Sequence, residues 1–152
     1  MGTRAVFTFK DDFGSHAVYK HWDGYPEGAV ECLTKAIPFS WGLDRYEACD
    51  FSAAFVAANK QGGGDVYLST SAEDHCDLSY HYELTSAKTN GQLIIRASEV
   101  EYEWINDNDC QIAFKEIFYG RLKEFVDTYG SCDTKKMWNE LDKSPNKLYE
   151  GA

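Results

Sequence analysis

Three glutamates at alternate positions form the most regular charged pattern in the chain. Glu99, Glu101 and Glu103 lie in the segment SEVEYEW, where charged and apolar residues alternate as they do along a β-strand. On one face of a strand their carboxylates would stand roughly 7 Å apart, close to the phosphate spacing of one DNA strand. The pattern predicts a surface for a basic partner, formed by Glu99, Glu101, Glu103, Asp107, Asp109 and Glu116. The alternative is a solvated strand face whose charges prevent edge-to-edge pairing.

A second candidate is the segment HWDGYPEG, residues 21–28, in which aromatic residues surround a turn sequence. Asp-Gly favours a turn with Gly24 at positive φ, Pro26 suits the first turn of a helix, and Glu27 complements the helix dipole there. These backbone roles predict a corner between a strand and a helix. Because the aromatic residues exceed what a turn needs, the alternative is a small pocket that holds a phosphate at the helix N-terminus. That pocket would be lined by Arg4, Trp22, Asp23 and Tyr25.

Metal binding and nucleophilic catalysis have less support in the sequence. The four histidines lack the HExxH spacing of a metal site, and the five cysteines include no CxxC pair. Cys32 or Cys76 could form a nucleophile with a histidine, but no family signature surrounds either residue. The sequence therefore favours a protein that is not an enzyme, with no catalytic residue, no metal and no cofactor.

The elements that position these residues follow from residue periodicity and turn sequences. The predicted strands span 4–10, 16–22, 65–70, 77–85 and 93–104, and the predicted helices span 26–36, 51–60 and 111–129. Asp50 would cap the second helix, and Asp107 and Asp109 the third. The fold class is α+β, with a mostly antiparallel sheet of about five strands and helices packed on one face. We expect one domain over residues 1–130, followed by a polar C-terminal extension, 131–152, that could carry a short docking helix.

Three segments carry a resemblance to a group of known proteins: MGTRAVFTFKDDFG, YKHWDGYPEG and GGGDVYLSTSAEDHCDLSYHYEL. They resemble small uncharacterised phage and bacterial proteins that begin with Met-Gly-Thr-Arg and carry a Tyr-x-x-(aromatic)-Asp-Gly-Tyr-Pro turn. After a glycine-rich break, these proteins have a strand of the Glu/Ser-Tyr-x-Tyr kind. The resemblance covers roughly the first two-thirds of the chain, and DGYP is its most specific part. It implies an α+β fold and a mobile-element setting, and it implies no activity.

Charge and composition narrow the classes of partner. A chain of 152 residues with 43% hydrophobic side chains can bury one core. The net charge of −10 disfavours direct nucleic-acid binding and favours a partner with a basic surface. No apolar run is long enough to span a bilayer, and no signal peptide precedes the first predicted strand, so we expect no membrane contact. The odd number of scattered cysteines is typical of a reducing cytosol, and a phage-encoded protein would then be cytoplasmic in its host.

Taken together, these features predict a non-enzymatic acidic binding protein of phage or mobile-element type. Its function would be that of an anti-defence inhibitor, such as an anti-CRISPR, that occupies a basic nucleic-acid-binding surface of a host protein. The alternative is an enzyme or nucleotide-binding module with its pocket at the HWDGYPEG corner. A third interpretation is a scaffold that oligomerises through the apolar stripe of the predicted helix 111–129, although that stripe also suits a core-facing helix.

Overall fold

The computed structural model describes residues 2–41, 45–61, 65–72, 75, 77–86 and 93–142. Within these residues, six strands form one sheet, and α-helices pack on one of its faces. The strands are β1 (Ala5–Lys10), β2 (Ser15–Lys20), β3 (Val66–Ser69), β4 (Tyr80–Ser86), β5 (Leu93–Trp104) and β6 (Cys110–Arg121). The α-helices are α1 (Pro26–Ala36), α2 (Ala48–Asn59), α3 (Leu122–Tyr129) and α4 (Cys132–Asp142), and a 3-10 turn, Ile37–Phe39, follows α1.

The strand order in the sheet is β3-β2-β1-β4-β5-β6. Neighbouring strands are antiparallel except for β1 and β4, which are parallel and lie at the centre of the sheet. The predicted α+β fold with a mostly antiparallel sheet is confirmed, and the sheet has six strands in place of about five. The one parallel pair makes the sheet mixed.

The main core lies between the sheet and the helices. Alternate residues of β1 point towards the helices, where the fully buried Phe7 ring lies 4.6 Å from Phe55 and 4.9 Å from Tyr82. Phe9 contacts the same helix through Phe51 and Phe55. Burial of each such side chain contributes about 1.5–3 kcal/mol to the free energy of unfolding. The first hairpin and the central strands are therefore anchored by α2.

Residues 110–121 form a strand, β6, so the predicted helix over 111–129 is wrong except for its last part, α3. β6 pairs with β5 over its full length, but a β-bulge leaves Ile117 out of register between Glu116 and Phe118. The bulge puts Phe114 and Phe118 on opposite faces of the sheet, since Phe114 is paired with Val100 and Phe118 with Ala97. The bulge interrupts the strand-like alternation of apolar residues in β6. The apolar residues on either side of it therefore have a spacing that resembles that of a helix.

Two predicted helix caps are also wrong. Asp107 and Asp109 lie in the turn between β5 and β6, where the Asn106 side-chain oxygen accepts the Asp109 backbone N–H at 2.9 Å. α2 begins at Ala48, so Asp50 lies in its first turn and does not cap it. By contrast, α1 and β5 have the predicted bounds.

The predicted C-terminal extension contains a helix, α4. Trp138 of this helix is 3% exposed and belongs to the main core, and Leu141 packs against the same core. No described residue accepts a hydrogen bond from the buried Trp138 indole N–H. Residues 143–152 lie outside the described part of the chain.

Asp11 links the first hairpin to α2. One carboxylate oxygen accepts the backbone N–H groups of Phe13 and Gly14, at 2.8 and 2.9 Å, and closes the turn between β1 and β2. The other accepts the Ala48 N–H, at 2.7 Å, at the first residue of α2. These hydrogen bonds, that from Ala48 first, hold the pKa of Asp11 below its ordinary value.

Replacing Asp11 by alanine should lower the melting temperature at neutral pH, because one turn and one helix end lose their acceptor. The pKa of Asp11 is lower in the folded chain than in the unfolded chain, so the ionised carboxylate stabilises the folded protein at pH values above the unfolded-state pKa. This stabilisation is lost as the pH falls through the folded-state pKa. The difference between the two proteins should therefore shrink in acid. Thermal unfolding of both at pH 7 and at pH 3 measures this, with the exposed neighbour substitution Asp12→Ala as control. An equal difference at both pH values would contradict the assignment.

Candidate functional site

The outer half of the β5–β6 hairpin projects beyond the rest of the sheet. Pairing of β4 with β5 ends where Tyr80 meets Glu99, whereas β5 and β6 stay paired as far as Trp104 and Cys110. We call residues 99–116 the arm. Beyond its base, the arm is a two-stranded ribbon, and both of its faces are open to contact by another molecule.

One face of the arm is acidic. Glu99, Glu101 and Glu103 alternate along β5 on this face, as predicted, and Glu101 and Glu103 are exposed. Glu99 is half-buried beside Tyr80, and its charge adds to the effect of burial in raising the pKa of that tyrosine. The arm contains six acidic side chains and one lysine, which accounts for half of the net charge of −10. The negative charge of the chain is therefore concentrated on one projecting element.

The other face of the arm is mostly apolar, with Glu116 as its charged residue. At its base, Val100 and Tyr102 pack against a small second core that includes Val6 and Tyr19. The Tyr102 hydroxyl also accepts the Leu78 N–H at 2.7 Å, which ties the arm to the segment before β4. Further out, Trp104 is 60% exposed, and Ile105, in the turn, is 64% exposed. Because Trp104 and Ile105 are adjacent at the end of a projecting element, they form a candidate apolar contact surface.

The predicted acidic set is divided by the structure. Asp107 and Asp109 are exposed in the turn at the end of the arm. Glu116 lies on the face opposite the glutamate row, because it is paired with Ser98, and it forms a salt bridge with Arg96 at 2.9 Å. Among the described residues, no salt bridge involves the other five members of the set: Glu99, Glu101, Glu103, Asp107 and Asp109.

The HWDGYPEG corner is closely packed through its backbone. The Gly24 N–H donates to the Thr3 carbonyl at 2.8 Å, and its own carbonyl accepts the Tyr82 hydroxyl at 2.6 Å. A Cβ on Gly24 would stand 2.7 Å from that of Ala5, so glycine is required here for close approach. The predicted positive φ at Gly24 is wrong, because the left-handed residue is Asp23, with φ of 57°. Aspartate tolerates this conformation better than most residues.

Two residues of the predicted pocket, Arg4 and Trp22, are linked through a buried tyrosine. Arg4 pairs with Asp77 at 3.4 Å and forms a side-chain hydrogen bond with Tyr19. The Tyr19 hydroxyl is also hydrogen-bonded to His21 at 3.0 Å. The His21 ring packs edge-on against Trp22. Burial, and secondarily the charge of Asp77, raises the pKa of Tyr19 to about 12. The Tyr19 hydroxyl is therefore neutral at physiological pH and serves as a hydrogen-bonding group.

The other two pocket residues, Asp23 and Tyr25, lie together on the surface of the corner. Both are exposed, and the charge of Asp23 is the largest cause of the raised pKa of Tyr25. Tyr25 is also the N-cap of α1, and no side chain caps that helix. Among the described residues, Arg4 forms its salt bridge with Asp77, and no salt bridge or hydrogen bond joins it to Asp23 or Tyr25.

The cysteines and histidines give no reactive centre in the described residues. No group of three or more metal-ligating side chains is found there. Cys32 is buried, which raises the pKa of its thiol to about 11 and leaves it protonated; Cys76 lies outside the described residues. Cys110 is disulfide-bonded and so offers no free thiol.

A cleft without a counterpart among the predicted sites lies on the face of the sheet opposite the helices. Its volume is about 220 Å³, and it is lined by Thr8, Lys10, Ser15, Ala17, Thr70, Ser71, Ala72, His81, Glu83 and Phe114. Two contacts cross from β1 to β4: the Thr8 hydroxyl meets His81 at 2.8 Å, and the Lys10 ammonium meets Glu83 at 3.3 Å. Because side chains alternate along β4, His81 and Glu83 lie on one face of the sheet. Their partners on β1 depend on a parallel pairing that no local signal reveals.

Comparison with known proteins adds no functional information. No protein-family model, no curated protein and no solved structure matches the chain. No helix among the described residues is long and apolar enough to cross a membrane. Function must therefore be inferred from the arm, the corner and the cleft themselves.

Proposed function

We propose that the chain is a non-enzymatic acidic binding protein that occupies a basic nucleic-acid-binding surface of a host protein. In this proposal it is an anti-defence inhibitor of the anti-CRISPR kind, encoded by a phage or another mobile element. The observation that supports the proposal is the arm, which concentrates half of the net charge on a projecting ribbon. The resemblance of the DGYP corner to phage proteins supports the mobile-element setting.

Electrostatics explains why such an arm would compete with a nucleic acid. Glu101 and Glu103 are exposed carboxylates on one strand face, at roughly the 7 Å repeat of alternate strand residues. A groove lined with lysine and arginine attracts this row as it attracts phosphates, and the attraction speeds association most at low salt. Because these carboxylates have no salt-bridge partner among the described residues, binding breaks no existing ion pair.

The apolar end of the arm supplies the part of the affinity that salt does not screen. Trp104 and Ile105 are both more than half exposed and adjacent in sequence, next to the acidic turn. Tryptophan is enriched among the residues that dominate binding energy at protein interfaces. The partner should therefore combine a basic surface with an apolar pocket that receives this end of the arm.

The proposal predicts that charge reversal on the arm abolishes partner capture. The triple variant Glu99→Lys/Glu101→Lys/Glu103→Lys and the wild-type protein are used as bait in host lysate, at low and at raised salt. We expect a partner that the wild type captures in a salt-sensitive manner and that the variant loses. The double variant Glu101→Lys/Glu103→Lys should behave alike, and it avoids a lysine opposite Lys115.

A second triple variant provides the matched control for this experiment. Asp12, Asp127 and Glu140 are exposed acidic residues outside the arm, and changing all three to lysine alters the net charge by the same amount. This variant should still capture the partner, because the loss depends on position and not on total charge. Capture that survives reversal on the arm would overturn the proposal, provided that circular dichroism shows the variants to be folded.

A further inference from the structure

We propose that the cleft on the open face of the sheet binds one uncharged sugar ring, either free or at the end of a glycan. The cleft is separate in chemistry from the acidic face of the arm, because its charged side chains are balanced. Lys10 and Glu83 face each other across β1 and β4 at 3.3 Å, and Glu83 is the more buried of the two. The inference does not depend on the proposed partner of the arm.

The paired charges favour a neutral ligand with several hydroxyl groups. Each hydroxyl both donates and accepts, so neighbouring hydroxyls of one ring can donate to the Glu83 carboxylate and accept from the Lys10 ammonium. This binding leaves the ion pair intact. A phosphate would meet the Glu83 carboxylate, and a free amino acid would have to separate the two charges.

The other polar side chains that line the cleft can also both donate and accept hydrogen bonds. Hydroxyl groups come from three elements around the cleft, namely β1, β2 and the segment after β3: Thr8, Ser15, Thr70 and Ser71. The contact between Thr8 and His81 at 2.8 Å fixes the imidazole in the wall. Side chains that can act as donor or acceptor suit a ligand whose hydroxyls can do either.

The apolar part of the cleft suits the C–H face of a sugar. Phe114 is 42% exposed, and its ring stacks on that of His81 with centroids 4.8 Å apart, so it stands fixed at the wall. The small side chains of Ala17 and Ala72 line the cleft without filling it. A volume of about 220 Å³ is below the roughly 300–1,000 Å³ typical of sites for drug-sized ligands, which limits the ligand to about one ring.

Amide chemical-shift titration of the purified full chain tests the inference. The probes are common hexoses and pentoses, the same sugars as methyl glycosides, and, as competing classes, uridine and inorganic phosphate. We expect at least one sugar to shift residues of β1, β4 and the Phe114 region in a saturable manner. Binding of the methyl glycoside would indicate the end of a glycan, and binding of the reducing sugar alone would indicate a free ligand.

Three variants decide whether the cleft is responsible. Phe114→Ala and Glu83→Gln should each lower the affinity for the sugar by about tenfold or more. The first variant removes the aromatic ring that stacks on the sugar, and the second removes the charged hydrogen-bond acceptor. Phe39→Ala, which removes a more exposed phenylalanine outside the cleft, should leave the affinity unchanged. The inference is overturned if no sugar shifts the cleft residues, if only uridine or phosphate does, or if Phe114→Ala and Glu83→Gln bind as tightly as wild type.

Discussion

Replacing Gly28 by alanine should lower the free energy of unfolding by about 2–3 kcal/mol, as expected for overpacking against fixed backbone. A Cβ at this position would overlap the carbonyl oxygen of Asp23 and stand 2.9 Å from its carbonyl carbon. Helix propensity alone predicts the opposite sign, since alanine is favoured over glycine by about 1 kcal/mol inside a helix. The overlap outweighs that preference because the obstructing atoms belong to the backbone of a residue held at φ of 57°.

Urea unfolding of the purified variant measures this change, and Gly14→Ala is the matched control. A Cβ on Gly14 would meet only the His16 imidazole, at an ordinary 3.8 Å, so that variant should change stability by less than about 0.5 kcal/mol. A Gly28→Ala protein as stable as wild type would show that Asp23 and α1 can separate freely. The close contact between Gly28 and the Asp23 carbonyl would then have no structural role.

The HWDGYPEG corner contains one feature that the sequence predicts correctly, the bounds of α1, and one that it does not, the residue at positive φ. α1 has its predicted bounds because Pro26 fixes the first turn and the apolar residues Ala29, Val30, Leu33 and Ile37 follow a helical period. The residue at positive φ was assigned to the wrong neighbour. Gly24 was expected there for its conformational freedom, whereas the structure uses its small size against Ala5 and leaves the left-handed position to Asp23.

The errors concern features that depend on contacts distant in sequence. The β-bulge at Ile117 removed the alternation that identifies β6, so the sequence predicted a helix and placed Glu116 with the acidic row. Alternation without a bulge made β5 and its glutamates predictable. The cleft could not be predicted, because it requires Thr8 and His81, 73 positions apart, to meet on parallel strands.

Removing the ion pair between Lys20 of β2 and Asp65, just before β3, should also lower the free energy of unfolding strongly. Lys20 is 6% exposed, and its ammonium lies 3.3 Å from one oxygen of Asp65. The second Asp65 oxygen is buried and has no hydrogen-bond partner among the described residues. Asp65→Ala should therefore lower the free energy of unfolding by about 3 kcal/mol, because it leaves a buried ammonium without its counter-charge.

Lys20 is more deeply buried than Asp65, so removing either partner should lower the free energy of unfolding by a different amount. Lys20→Met should cost less than Asp65→Ala, since the Asp65 side chain that it leaves unpaired is 24% exposed and keeps some contact with water. The double variant Lys20→Met/Asp65→Ala should recover part of the loss, because no buried charge remains. Urea unfolding of the four proteins gives the coupling free energy as a double-mutant cycle.

The exposed pair between Glu31 and Lys35, one helical turn apart at 3.0 Å, is the control for this cycle. Both side chains are at least two-fifths exposed, so solvent screens the pair, and Glu31→Ala should cost about 0.5 kcal/mol or less. If Asp65→Ala costs no more than Glu31→Ala, water must reach the Lys20 ammonium. If the double variant is less stable than Asp65→Ala alone, the Lys20 ammonium must be stabilised by water or by another polar group when Asp65 is absent, because methionine retains most of the apolar stem.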